Sequence, residues 1–301
     1  MGRHHPESPD RLRAVLCGIG GPRFAGLQRR EAPQATVEQI ARVHPVEFVE
    51  RLLSAVPAEG QHQIDGDTAL NPASGEAALR AAGALCAAVD AVAGGAISNA
   101  FCAVRPPGHH AEPSQAMGFC LFNNVAIGAM QARHVHGFQR IAIFDFDVHH
   151  GNGTQAAFWN DQDVLFVSTH QSPLYPGTGD ADETGSSDNI LNIPLAPGSG
   201  SNAFRSAVSD LVLPALDAFK PDFIFISAGF DAHSADPLAS LELESEDFAW
   251  ATAEVAKIAQ RHCAGRLVST LEGGYDLMAL AACASAHVGA LMEAAEALDR
   301  R

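Results

Sequence analysis

Five short runs rich in apolar, β-branched and aromatic residues alternate with Ala-rich stretches, and this alternation limits the folds that the chain can adopt. The runs span residues 140–147, 163–170, 189–195, 222–231 and 266–276. The Ala-rich stretches have helical spacing and span residues 75–93, 122–135, 202–219, 245–262 and 277–298. Strands that alternate with helices form a mainly parallel sheet. We therefore predict an α/β fold, in which helices cover both faces of an open, mainly parallel sheet.

Polar clusters directly follow the apolar part of four of the five predicted strands. These clusters are Asp145 to His150, His170, Asp231 to His233, and Glu272 to Asp276. In open α/β sheets, ligands bind in a crevice outside the carboxyl ends of the strands. The clusters are far apart in sequence, yet the fold is expected to bring them to one crevice. We predict the active site there.

The charge balance limits the class of partner. The formal net charge is −16, and no Lys/Arg-rich run offsets it. A nucleic acid is therefore excluded as the main partner, because like charges repel, whereas a cationic substrate suits this field. The sequence shows no basic segment followed by an apolar segment at its start and no apolar run that we identify as membrane-spanning. We expect no membrane partner and a cytoplasmic location.

No feature of the sequence divides the chain into parts. It has 301 residues, 47% of them hydrophobic, which is ample material for one core. We find no internal repeat, linker or charge block. The Gly/Ser/Asp-rich stretch 172–189 lies between two predicted strands, which favours a functional loop over a linker. We predict a single domain over residues 1–301.

The segment DFDVHH at 145–150 indicates a metal site. Asp145, Asp147 and His149 alternate with period two, so they project to one face if the strand continues through them. Asp231, at the end of another predicted strand, offers a third metal ligand beside Asp147 and His149. The six cysteines contain no CxxC pair, so a metal must use His and carboxylate ligands. Three protein ligands with one open position are typical of catalytic zinc, while the alternative is a set of polar strand ends that cap helices and turns.

A second motif, RPPGHHAEP, carries two adjacent histidines, His109 and His110, on a loop restricted by its prolines. If they face the metal, they form an acid/base pair. Asp145 and Asn152 are each able to fix the tautomer of one imidazole. We interpret a further adjacent pair, His4 and His5, as a surface loop.

The order of these motifs resembles that of the histone deacetylases and their bacterial relatives, the deacetylase-like amidohydrolases. The resemblance runs from HPESPDRL to LEGGYDL, through RPPGHHA, GFCLFNN, DFDVHHGNGT, LYPGTGD and SAGFDAHSADPL. The chain is more similar to the class II and bacterial branch, because Asn152 stands where class I members have Asp.

The resemblance implies a mechanism and a set of site residues. Zinc would be held by Asp147, His149 and Asp231, and a metal-bound water would attack the amide of an N-acylated amine. His110 would act as general base and then as general acid. The other implied catalytic groups are His109 paired with Asp145, Asn152, and Tyr275 as donor to the oxyanion.

The resemblance also implies binding residues around the metal. Gly118, Phe119 and Tyr175 would line an acyl-lysine channel, and Asp67 would grip substrate backbone at the rim. A potassium ion would be bound by the Ser168 hydroxyl together with main-chain carbonyls, namely those of Asp145, Asp147, His149 and Thr169.

The substrate and the metal stay open at this level. An acetylated lysine in a protein, an acetylated polyamine and a small N-acetyl metabolite all present an amine at the end of an alkyl chain. Fe(II) or Co(II) would tolerate the ligands proposed for zinc. Two other functions are an arginase-like hydrolase with two metals and a silent binding protein. The arginase-like pattern expects Asp where this chain has Gly151 and His233, so a second metal would lack ligands. His110 and Tyr275 argue against the silent binding protein, since binding alone needs neither a base nor an oxyanion donor.

Overall fold

A six-stranded parallel sheet forms the centre of the computed structural model, which describes residues 5–300. Its strands lie in the order β3-β8-β7-β4-β5-β6, and every pair is parallel. A separate antiparallel pair joins β1 to β2. The bounds are β1 His62–Gln63, β2 Ala69–Leu70, β3 Asn99–Cys102, β4 Ile141–Asp145, β5 Val164–Gln171, β6 Ile190–Leu195, β7 Phe223–Ala228 and β8 Leu267–Leu271.

Helices connect the strands. Their bounds are α1 Pro9–Gly18, α2 Val37–Ile40, α3 Val46–Ser54, α4 Ser74–Ala93, α5 Asn124–His136, α6 Asn152–Phe158, α7 Ser201–Ala207, α8 Leu213–Phe219, α9 Ser245–His262 and α10 Leu277–Asp299. A π-helical turn, Val208–Val212, joins α7 to α8. The side chain of Asp276 caps α10 by accepting hydrogen bonds from the amides of Met278 and Ala279.

Both faces of the sheet are buried, because successive side chains of a strand point to opposite sides. In β4, Ala142 and Phe144 pack into the core formed with α1 and α7–α10. Ile141 and Ile143 pack into the opposite core, formed with α4 and α5. Sheets covered on both faces have continuous apolar strands, which is the pattern of the predicted runs. The predicted fold class is confirmed.

The five predicted strands and the five predicted helical stretches match observed elements closely, but the short strands β1, β2 and β3 and the helices α1 and α6 were missed. The edge strand β3 and the pair β1-β2 have four residues or fewer per strand, so their apolar period is too short to recognise. The expectation that no run is long enough to cross a membrane was wrong, because Leu277–Leu298 of α10 has the length and the apolar composition to do so. This helix packs against α9 and α1, and half of its most apolar stretch is buried in the protein, as in the core helix of a globular protein.

We predict that Gly83→Ala destabilises the fold, although alanine is the better helix former. Gly83 lies inside α4, where a Cβ would overlap the carbonyl oxygen of Pro33 and approach the amide nitrogen of Ala35. Both obstacles are backbone atoms and cannot rotate away. We expect the free energy of unfolding to fall by about 2 kcal/mol, measured by urea titration. Gly26→Ala, which meets no atom within 4 Å, is the control; equal stability of the two variants would contradict the prediction.

Candidate active site

The carboxyl ends of β4 and β7 bring three predicted metal ligands together. His149 Nδ1 lies 3.1 Å from Asp147 Oδ1 and 3.1 Å from Asp231 Oδ2. One ligand atom from each residue lies within 4.8 Å of the other two. The strand does not continue through this segment as expected, since β4 ends at Asp145. The ligands converge because the chain turns over the end of the sheet, and not through period-two spacing.

Backbone amides orient the two carboxylates. The amide of Gly273 donates to Asp147 Oδ2 at 2.7 Å, and the amide of Val148 donates to Asp231 Oδ1 at 3.0 Å. Each carboxylate thus has one oxygen held by the backbone and turns its other oxygen toward His149. An imidazole nitrogen and two carboxylate oxygens form a donor set that fits zinc.

The electrostatics of the triad favour a positive charge. Burial alone would lower the pKa of His149, but its hydrogen bonds to Asp147 and Asp231 raise that pKa to about 10. Burial and the neighbouring Asp147 carboxylate raise the pKa of Asp231. Two carboxylates without solvent contact need a cation beside them. A divalent metal ion would meet that need.

The two histidines of RPPGHHAEP lie against the triad and differ in charge. Burial would lower the pKa of His109, but the carboxylates of Asp145 and Asp147 outweigh it and raise that pKa well above its usual value. His109 Nδ1 lies 2.9 Å from Asp145 Oδ2. Burial and the adjacent His109 and His149 lower the pKa of His110 well below its usual value. His110 is therefore the neutral member of the pair, as a general base requires.

Asn152 is placed as predicted, at the first turn of α6 beside His110. Its Oδ1 lies 2.8 Å from His110 Nδ1. Because an amide oxygen only accepts hydrogen bonds, His110 Nδ1 is the donor in this contact. The rings of His110 and His149 are 5.9 Å apart, centroid to centroid. The base thus stands next to the metal ligands.

A buried carboxylate that the sequence analysis placed in a polar cluster, but gave no role, anchors the histidine loop. Glu272 Oε2 accepts hydrogen bonds from the amides of Gly108 at 2.6 Å and His109 at 3.2 Å. Its other oxygen accepts from the Ser227 hydroxyl at 3.2 Å. Burial raises the pKa of Glu272 to about 7. The available signal was an acidic residue placed directly after the apolar strand β8.

Aromatic rings surround the approach to the triad. The Tyr175 ring meets His110 edge-on with centroids 5.1 Å apart, and the Phe119 ring meets Tyr275 edge-on at 5.9 Å. Gly118 has φ +56°, and a Cβ at this position would lie 2.5 Å from the His110 ring. Only glycine brings the chain this close to the base. Of the three predicted wall residues, Gly118 and Tyr175 thus lie against His110, and Phe119 lies against Tyr275.

Tyr275 is held by a network that the sequence analysis did not single out. Its amide donates to Asp236 Oδ2 at 2.7 Å, and the Arg11 guanidinium lies 4.8 Å from the centre of its ring. Arg11 is fully buried, pairs with Glu7, and donates to the carbonyl of Gly274 at 2.6 Å. Burial raises the pKa of Tyr275 well above its ordinary value, although Arg11 opposes the rise. Its hydroxyl therefore stays protonated and is able to donate.

Asp67 lies beside the channel wall, next to Phe119. Its Oδ1 accepts from the Thr68 hydroxyl at 2.9 Å, and that hydroxyl in turn accepts from the Phe119 amide at 3.0 Å. His5, which we interpreted as part of a surface loop, lies outside the helices and strands and is half-buried, and its ring meets Phe119 edge-on at 4.7 Å. His4 lies outside the described residues. A local dipeptide could not reveal this packing, because the partners are more than 60 positions away.

Of the residues predicted for potassium, Asp145, Ser168 and Thr169 lie on the adjacent strands β4 and β5, whereas Asp147 and His149 follow β4. Asp145 of β4 is in register with Ser168 of β5. The Ser168 hydroxyl lies 2.9 Å from His170 Nδ1. The Thr169 hydroxyl is buried, and within residues 5–300 it has no hydrogen-bond partner. Neutral oxygens such as these hydroxyls are the kind of ligand that a hard cation takes.

A second metal has no matching ligand set in the part of the chain that the structure describes, where one group of metal-binding residues is found. His233 turns away, accepting from the Ala235 amide at 3.1 Å and lying 3.8 Å from Glu244. Gly151 offers no ligand atom. The geometry thus favours a mononuclear centre over the arginase-like arrangement.

Comparison with known proteins identifies the family. The histone deacetylase domain model matches residues 5–291. A histone deacetylase-like amidohydrolase of Pseudomonas aeruginosa is 44% identical over 278 residues, covering 90% of this chain and 73% of that protein. A probable deacetylase of Archaeoglobus fulgidus is 42% identical over 279 residues, covering 91% and 77%. The crystal structure of the HDA15 HD domain matches with TM-score 0.90 and 36% identity, covering 97% of this chain and 86% of that one. The chain belongs to the histone deacetylase family and is a hydrolase of the deacetylase class.

We predict that the protein binds one divalent metal ion per chain and that Asp231→Ala weakens this binding more than about 100-fold, because one of three converging donors is lost. Metal content after dialysis against zinc, measured by mass spectrometry on folded protein, tests this. Asp217→Ala is the control, since Asp217 pairs with Arg261 at the surface. Equal zinc content in the two variants would place the metal elsewhere.

Proposed function

We propose that this protein is a zinc-dependent deacylase that hydrolyses the amide of an N-acetylated or N-acylated amine, such as acetyl-lysine. The observation that carries the proposal is a buried imidazole, His110, which Asn152 orients beside three side chains able to hold a metal ion. A purely structural metal site would have no use for a base at this position.

The residues of the chain divide the work as follows. His110 takes the proton of the attacking water at its free nitrogen and returns it to the leaving amine. His109, paired with Asp145, adds positive charge next to it, and the Tyr275 hydroxyl donates to the oxygen that becomes negative. Zinc, when held by Asp147, His149 and Asp231, would polarise the carbonyl and acidify the water.

The surroundings of the triad support a substrate with an extended alkyl arm. Phe119 and Tyr175 present apolar rings, which suit methylene groups better than a charged chain. The net charge of −16 favours a cationic substrate such as a lysine-rich peptide or a polyamine. We further propose that Asp67 contacts substrate backbone at the rim. Asp145, Ser168 and Thr169 would support a potassium ion behind the triad.

A silent acyl-lysine or metal sensor is the second candidate, because the same pocket would bind substrate without turnover. The two functions differ in what Tyr275 does. A sensor has no developing oxyanion, so the hydroxyl of Tyr275 would matter little to it.

We predict that Tyr275→Phe lowers kcat about 100- to 1,000-fold without loss of zinc, because it removes one preorganised donor to the oxyanion. Acyl release from a panel of acyl-lysine peptides and N-acetylpolyamines, with zinc content measured in parallel, tests this. Tyr175→Phe is the comparison. Because it keeps the ring that faces His110, we expect kcat to stay close to that of the wild type and any effect to fall on KM. Wild-type protein that is folded, zinc-loaded and inactive on the whole panel would refute the deacylase proposal in favour of the sensor.

A further inference from the structure

The geometry points to Glu112 as a positioning residue, which orients the amide of Asn152 and thereby fixes the tautomer of His110. The inference rests on the proposed function of His110 as a base. Glu112 lies two residues after His110, on the same loop. Among residues 5–300 its carboxylate makes no hydrogen bond to the triad, and it accepts from the side-chain amide of Asn152.

Three side chains form a continuous hydrogen-bonded row. His110 Nδ1 lies 2.8 Å from Asn152 Oδ1, and Asn152 Nδ2 lies 2.8 Å from Glu112 Oε1. A second contact of Asn152 Nδ2 is the Met117 sulfur at 3.4 Å. Asn152 is buried and Glu112 is half-buried. The row therefore runs from the base outward to the edge of the site.

An asparagine by itself does not settle which end of its amide faces a neighbour. The amide carries an acceptor oxygen and a donor nitrogen of almost equal size, and a neutral imidazole nitrogen is able to meet either of them. If Nδ2 faced His110, then His110 Nδ1 would have to accept. The proton would then sit on Nε2, and the base would have no free nitrogen for water.

Glu112 removes this ambiguity because a carboxylate only accepts hydrogen bonds. Turned around, Asn152 would direct its oxygen at the Glu112 carboxylate and at the Met117 sulfur, both of them acceptors. The observed orientation satisfies every partner. The Glu112 carboxylate thus selects the Nδ1–H form of His110 through two successive hydrogen bonds, without bringing negative charge into contact with the imidazole.

The position of Glu112 is itself well determined. Its amide donates to the Gln115 carbonyl at 2.9 Å and closes a tight turn. Asn152 is held in the same way, since its amide donates to the His150 carbonyl at 2.9 Å. Both backbones are held at these positions, which favours a defined contact between the two side chains over a chance surface pairing.

The first test changes the charge and keeps the shape. We expect Glu112→Gln to lower kcat about tenfold while KM and zinc content stay within twofold, because the glutamine no longer dictates which way Asn152 faces. Glu183→Gln is the matched control. Glu183 accepts from Gln155 and from the Gly179 amide, and it has no contact with Asn152. We expect its kcat to stay within twofold of wild type.

The decisive test exchanges the two polar partners. Asn152→Asp alone sets two carboxylates against each other, and we expect kcat to fall about 100-fold. Glu112→Gln in that background lets the glutamine amide donate to the introduced carboxylate, which still accepts from His110, so we expect kcat to recover at least tenfold. The same substitution of Glu112 then lowers kcat in one background and raises it in the other. A residue that serves only stability would act in the same direction in both, and that result would overturn the inference.

A readout without turnover separates this inference from the proposed function. In metal-free protein with ¹⁵N-labelled histidine rings, the His110 signals, assigned by their loss in His110→Gln, should show Nδ1–H and a bare Nε2. Glu112→Gln should show a mixture of the two tautomers. A wild-type Nε2–H form, or identical spectra in the two proteins, would refute the role of Glu112 even if the enzyme deacylates. If the spectra are as predicted but no substrate is turned over, the role of Glu112 is upheld and the deacylase proposal is refuted.

Discussion

The structure depends on the burial of negative charge at one end of a parallel sheet. The carboxylates of Asp145, Asp147, Asp231 and Glu272 are all at most 1% exposed. An isolated carboxylate in such a place is very costly, so each must be matched by imidazoles, amide donors or a metal ion. The histidine pair, the glycine amides and the order of the strands all serve this compensation. A cation held by these carboxylates is also what the proposed chemistry would use.

Two adjacent histidines acquire opposite properties from their surroundings. The carboxylates of Asp145 and Asp147 outweigh burial and raise the pKa of His109, whereas burial and the neighbouring His109 and His149 lower the pKa of His110. Their hydrogen-bond partners Asp145 and Asn152 differ in one atom, oxygen against nitrogen, and the amide of Asn152 brings no negative charge to His110. The charge that would raise the basicity of His110 is moved outward to Glu112, where it fixes orientation without protonating the base. The residue that carries the negative charge, Glu112, is thus not the residue that contacts His110, which is Asn152.

The sheet order explains how distant segments meet. β4 lies between β5 and β7, and Asp145 is in register with Ser168 on one side and Ser227 on the other. Glu272 follows β8, the next strand beyond β7. Every one of these strands ends at the same edge, because parallel pairing allows no other arrangement. The crevice predicted from polar strand ends therefore follows from the direction of the strands alone.

The sequence by itself determined the α/β class, the main strands and helices, and the ligand candidates Asp147, His149 and Asp231, because these depend on local period and on residue type. A single domain and a potassium site stay predictions. Only the tertiary structure decided what Glu272, Arg11 and Glu112 do. Glu272 and Arg11 act across more than 160 positions, and Glu112 acts across 40. Periodicity shows which face of an element is buried, but it cannot show which buried charge meets which partner, since that depends on how loops approach each other in space.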